Sequence, residues 1–159
     1  MSLARKEYSD FQALAPDVYE TVTSLGRLAA KAGIDKQLLE LIKLRASQIN
    51  GCAFCVQYHI LQAERLGVPG DKLNLVVVWR EAPQFSARER AALAWTEALT
   101  LLTGGVSDEV YEQARKEFSD KELTYLTSAV ASINVWNRFG VGYRWTPPAR
   151  QTAVGAAAS

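Results

Sequence analysis

At 159 residues and 48% hydrophobic content, the chain has the size and composition of one domain that can bury its own core without cross-links. Eighteen Lys and Arg nearly balance seventeen Asp and Glu, for a net charge of +1. The basic residues are scattered, which argues against nucleic acid and anionic membranes as partners. No run is apolar for long enough to span a bilayer, and the segment from Met1 to Tyr8 has no apolar signal core, so a cytoplasmic location is expected.

The predicted elements are helices throughout. Pro16 opens one through Val18, Val22 and Leu25. Asp35 caps the next, through Leu38, Leu41, Ile42, Leu44 and Ile49, and Asn50-Gly51 breaks it. A third starts near Cys52 and ends at Gly67, carrying Val56, Ile60, Leu61 and Leu66; Pro69 and Gly70 punctuate the connection after it. The run Leu75 to Trp79 has a strand-like composition, but no second candidate strand exists to pair with it, so it is read as helix. Ser86 with Glu89 has capping-box spacing and opens a helix through Ala91, Leu93, Trp95 and Leu101, ended by Gly104-Gly105. Ser107 caps the following segment. Ser119 with Glu122 repeats the capping box ahead of a long helix through Leu126, Val130, Ile133 and Trp136. Residues 1–150 therefore read as a single all-α domain, and residues 151–159 as a small, polar, disordered tail.

Both cysteines and the sole histidine fall within eight residues, in Gly51-Cys52-Ala53-Phe54-Cys55-Val56-Gln57-Tyr58-His59. A Cys-x-x-Cys pair in such a chain reads as redox-active or metal-binding rather than as a structural disulfide framework. At the start of a helix, unpaired backbone N–H groups and the helix dipole favour thiolate over thiol. Cys52 and Cys55 are i and i+3, within reach of an internal disulfide. His59 stands one turn beyond Cys55, placed to accept or relay a proton. On the preceding helix Glu40, Lys43, Ser47 and Asn50 form a polar stripe. If the Asn50-Gly51 turn folds the two helices together, Glu40 and His59 both lie about 12–15 Å from it, given the helical rise per residue. A carboxylate there would orient the imidazole, completing a Cys–His–Glu relay.

Competing readings use the same residues. Cys52, Cys55, His59 and Glu40 supply four donors to zinc, although structural zinc usually takes a second Cys or His pair and the chain has none left. Two inert thiols, or a non-enzymatic redox-sensing or structural oligomer that uses the pair as a switch, are the alternatives to catalysis. A thioredoxin fold needs a βαβ sheet that is not offered here. Tyr58 is read as packing and Arg45 as part of a solvated face, while Lys43 is read either as a thiolate partner or as surface. Trp79, Trp95, Trp136 and Trp145 are assigned to core or subunit interface rather than to a cofactor box. Asn137 and Arg138 are assigned to helix-end or interface contacts. No Gly-rich phosphate loop appears, so no nucleotide cofactor is indicated.

The spacing Glu-x11-Cys-x2-Cys-x3-His, with Lys43, Ser47 and Asn50 between Glu40 and Cys52, resembles the alkylhydroperoxidase AhpD core of the carboxymuconolactone decarboxylase-like superfamily. Ile133-Asn134-Val135-Trp136-Asn137-Arg138 is similar to a segment common in that group, and the resemblance spans roughly residues 15–147. It implies an AhpD-like all-helical subunit that assembles into trimers or hexamers. It also implies a peroxidase that reduces organic hydroperoxides or hydrogen peroxide without a cofactor or metal. Carried over, Cys55 is the peroxidatic thiol, and Cys52, nearer the helix start and more exposed, resolves its sulfenic acid as a disulfide. A dihydrolipoyl or thioredoxin-like dithiol then reduces that disulfide, with His59 and Glu40 relaying protons. Some peroxidases of the family carry a second histidine between the cysteines, where this chain has Ala53-Phe54. The superfamily's decarboxylase branch works on a lactone acid without relying on a Cys-x-x-Cys, so both thiols together favour the peroxidase branch.

Overall fold

The computed structural model describes residues 3–150, which form eight α-helices, one 3-10 turn and no strand. The expected tail at 151–159 lies outside the described residues. Helix α1 covers Tyr8–Leu14, α2 Pro16–Lys31, α3 Lys36–Ile49 and α4 Ala53–Arg65. Beyond them lie α5 at Gly70–Leu75, α6 at Ala87–Leu101, α7 at Asp108–Glu117 and α8 at Asp120–Tyr143.

Helix α3 is the centre. Leu39, Leu41, Ile42 and Leu44 are all essentially excluded from solvent, so its apolar surface runs nearly all the way round. A helix of that kind has to be enclosed by others, and α4, α6 and α8 pack around it. Helix α8, at 24 residues, is the longest and packs against α2, α3, α4, α6 and α7.

Local chemistry sets the ends. The Asp35 carboxylate accepts the Leu38 N–H at 2.8 Å, and α3 stops at Asn50, followed by Gly51 with φ 67°. Only glycine takes that left-handed turn without a steric cost. Ser86 and Ser119 close capping boxes with Glu89 and Glu122, and Ser107 accepts the Val110 N–H.

Three places refine the sequence reading. The Leu75–Trp79 run is helical, as the end of α5 and a 3-10 turn at Val76–Val78 that buries Val76 and exposes Val77 and Val78. Helix α6 ends earlier than Gly104-Gly105, because Leu102 itself takes the left-handed conformation (φ 48°). Helix α1 is an addition. Its Glu7 N–H donates to Asp10 Oδ2 at 2.9 Å, while the Glu7 carboxylate accepts from the backbone N–H and hydroxyl of Thr146. The two ends of the described chain are thereby tied together over an aromatic cluster, in which Phe11 lies 4.6 Å from Phe139 and Tyr8 lies 5.0 Å from Phe54 between ring centroids.

Candidate active site

The turn at Asn50-Gly51 folds α4 back on α3 and places Glu40 against His59. Glu40 Oε2 lies 2.6 Å from His59 Nδ1, and the other carboxylate oxygen accepts from Lys43 Nζ at 2.9 Å. The polar stripe of α3 is thus divided between two tasks. Glu40 and Lys43 serve the histidine. Ser47 and Asn50 fix the hinge to α8: Asn50 Nδ2 donates to Asn134 Oδ1 and Asn137 Oδ1, both at 2.9 Å, and Asn137 Nδ2 donates to Ser47 Oγ at 3.0 Å. Asn137 is almost wholly buried, so truncating it would remove two of the contacts that fix the hinge to α8. Arg138 donates back to the Asn134 carbonyl within α8.

The electrostatics assign the protons. Burial works to raise the Glu40 carboxyl, but the hydrogen bond and charge of His59, joined by Lys43, outweigh it and hold the group below the usual carboxylate range. Burial is the largest influence on His59 and holds it below its ordinary value, with Glu40 opposing and Lys43 assisting. Near neutral pH the pair is therefore a carboxylate and a neutral imidazole. A carboxylate can only accept, so the imidazole proton sits on Nδ1 and Nε2 is the basic nitrogen.

Cys52 and Cys55 are joined as a disulfide. Cys52 is the N-cap of α4, and its sulfur accepts the Cys55 N–H at 3.2 Å, in the place a serine or aspartate oxygen usually takes. The expectation that Cys52 is the more exposed sulfur is corrected: Cys52 is 0% exposed and Cys55 3%. Helix α8 covers it, at Gly140. A Cβ built on Gly140 would fall well inside contact distance of the Cys52 sulfur, and 3.2 Å from that of Cys55.

Cys55 and His59 open onto a cavity of about 230 Å³, whose lining includes Lys43 but not Cys52. The remaining walls come from α4 itself and from elements far away in sequence. Tyr8 of α1, Tyr19 and Arg27 of α2, Phe54 and Tyr58 of α4, Trp136 of α8 and Trp145 beyond it all line the space. Tyr8, Tyr19 and Arg27 were not singled out from the sequence. Trp136 and Trp145, assigned there to core or interface, are cavity walls, and Tyr58 is one too. Trp79 and Trp95 do belong to the main core. Arg45 is not on a solvated face. Its Nε donates to Glu97 at 2.7 Å, beside the indole N–H of Trp79 on the same carboxylate oxygen. Among the described residues no three His, Cys, Asp or Glu side chains gather as a metal-ion set, and no helix is long and apolar enough to cross a membrane.

Known proteins resemble the chain in sequence and fold. The model of the carboxymuconolactone decarboxylase family matches residues 16–98. The uncharacterized protein YdfG of Bacillus subtilis strain 168 is 31% identical over 129 residues, which span 80% of this chain and 88% of that protein. A solved structure of a protein of unknown function from Agrobacterium tumefaciens, suggested to be the antioxidant defence protein AhpD, is 38% identical. It covers 91% of this chain and 100% of its own, with a TM-score of 0.85. The debrominase Bmp8 shares the fold at 19% identity and a TM-score of 0.78, over 87% of this chain and 75% of that one.

Proposed function

This chain belongs to the carboxymuconolactone decarboxylase family, and we propose that within it the protein is a thiol-dependent peroxidase. The observation that carries the reading is the meeting, at one cavity, of Cys55 with a neutral His59 held by the Glu40 carboxylate. An activated nucleophile needs those parts in that order: sulfur, base and orienting group. The likeness to the Agrobacterium protein points the same way.

The chemistry proceeds in three steps. His59 Nε2 takes the Cys55 proton, directly or through water. The Cys55 thiolate attacks one peroxide oxygen, the O–O bond breaks, Cys55 becomes a sulfenic acid, and the leaving alkoxide picks up a proton from His59 to depart as an alcohol. Cys52 then attacks the Cys55 sulfur, forming the disulfide and releasing water. A dithiol reductant finally returns the disulfide to two thiols and is itself oxidised to a disulfide. Because Cys55 and not Cys52 meets the cavity, the reductant attacks Cys55 and expels Cys52, whose thiolate is stabilised by the Cys55 N–H at the start of α4. A slender dihydrolipoyl arm suits such an approach better than the flat face of a thioredoxin-like protein. Assembly into trimers or hexamers and a cytoplasmic setting belong to the same proposal.

The test is peroxide-dependent oxidation of dihydrolipoamide by wild type, Cys55→Ser and Cys52→Ser. Both variants are expected to lose turnover, and Cys52→Ser is expected to retain a sulfenic acid that a dimedone probe traps on Cys55. Undiminished turnover in both variants overturns the proposal. So does a wild type that forms the disulfide on peroxide treatment but never turns over, which would mark the pair as a sensor.

A further inference from the structure

The lining of the cavity is largely aromatic and carries no carboxylate. Six of its fourteen lining residues are Tyr, Phe or Trp. The rings are mutually braced: Tyr8 lies 5.1 Å from Trp145, and Tyr19 lies 5.7 Å from Trp136, each pair edge to face. Flat, braced walls of this kind favour another flat ring over a flexible chain. The volume sets an upper size. At about 230 Å³ the space exceeds the roughly 150 Å³ cavity known to admit benzene, and it falls below the ~300 Å³ lower bound of sites for drug-sized ligands. One substituted ring fills it.

Charge narrows the class further. The lining contains two cations, Arg27 and Lys43, and no Asp or Glu. Lys43 is committed to Glu40. Arg27 is exposed at the rim, and among the described residues it forms no ion pair with a carboxylate. Its field reaches the cavity phenols. Tyr19 is lowered first by the hydrogen bond from Tyr8 and also by Arg27. Tyr58 is raised by burial and the Glu40 charge, with Arg27 opposing. A guanidinium at the mouth of an aromatic pocket recognises a ligand that is apolar at one end and anionic at the other.

We propose that this cavity takes a single-ring aromatic compound bearing an anionic group such as a carboxylate, with the ring against Tyr8, Tyr19, Trp136 and Trp145 and the anion at Arg27. The proposal rests on the peroxidase reading and names its substrate class: the peroxide oxygen faces Cys55 while the anion faces solvent. The step itself is unchanged, since the anion is a handle and takes no part in the transfer.

Binding and turnover separate the two readings. Binding is followed by tryptophan fluorescence of the intact protein with two unreactive probes, 4-isopropylbenzoate and its neutral isostere 4-isopropylbenzamide. Turnover is followed with cumene hydroperoxide and its para-carboxylate. The carboxylated member of each pair is expected to show a Kd or KM about tenfold lower, a charge-assisted contact discounted for the exposure of Arg27. Arg27→Gln is expected to bring that ratio to near unity, and Arg27→Lys to restore part of it. Equal or weaker binding of 4-isopropylbenzoate by wild type, or a preference that survives in Arg27→Gln, overturns the substrate class. A binding preference without any hydroperoxide turnover overturns the peroxidase reading and leaves the ligand class standing.

Discussion

Glu40 touches neither sulfur in the proposed cycle and acts through His59, so it is a positioning residue with a distinctive pH signature. Burial pushes His59 below its ordinary value of about 6.5, and the Glu40 charge pulls the other way. With the neutral imidazole as the proposed base, kcat/KM of wild type is expected to rise with pH through an acid limb below 6.5. Glu40→Gln removes the charge that favours the imidazolium, so the limb moves to lower pH, not higher. The plateau also falls, by about 10²-fold, because the remaining base is weaker and less well oriented. A pH–rate profile of both proteins checks the direction, and a limb that moves up would remove His59 from the role of base. This pairing was within reach of the sequence, because counting helical turns away from the Asn50-Gly51 hinge puts both residues at the same height. Arg45 was not, since its partner Glu97 lies 52 residues away on another helix.

Between elements, the closest approach of consequence is that of α8 to the start of α4. Helix propensity alone makes Gly140→Ala favourable by about 1 kcal/mol in a helix interior. The added Cβ, however, meets the Cys52 sulfur at once and that of Cys55 at 3.2 Å, both inside a packed region. Overpacking of that kind costs about 1–3 kcal/mol, so the net effect is expected to be destabilising. The cause can be isolated by a double-mutant cycle. In a Cys52→Ala background the sulfur is gone, and Gly140→Ala should cost less there by at least about 0.5 kcal/mol in urea unfolding. Additive effects would mean that Gly140 is present for another reason. The sequence gives no warning of this contact, because a glycine late in a helix looks like an end signal. It does announce Asp35, Ser86, Ser107 and Ser119, whose capping chemistry is local. Helix α1 escapes for the opposite reason: it is seven residues long, and two of its anchors, Thr146 and the Trp145 ring against Tyr8, lie at the far end of the chain.

At the scale of the whole molecule, the helical class follows from periodicity, whereas the cavity does not, because its walls come from five helices and a terminal segment. Whether the disulfide belongs to that architecture or only to its chemistry can be decided energetically. Cys52 and Cys55 are three residues apart, and closing so short a loop stabilises a fold by about 2 kcal/mol on the chain-entropy relation, against about 4.7 kcal/mol for a 100-residue loop. The main core is built elsewhere: Leu39, Leu41, Ile42, Leu93 and Leu126 are fully buried in a cluster that includes neither cysteine. Reduction with a phosphine should therefore leave the helical circular dichroism intact and lower the melting temperature by only about 4–8 °C, at roughly 2–4 °C per kcal/mol for a chain of this size. A peroxidase must visit both redox states in every turnover, so its fold has to tolerate the loss of this bond. Collapse of the helical signal on reduction, or a drop several times larger, would make the bond a structural staple and leave no stable reduced state to meet a peroxide.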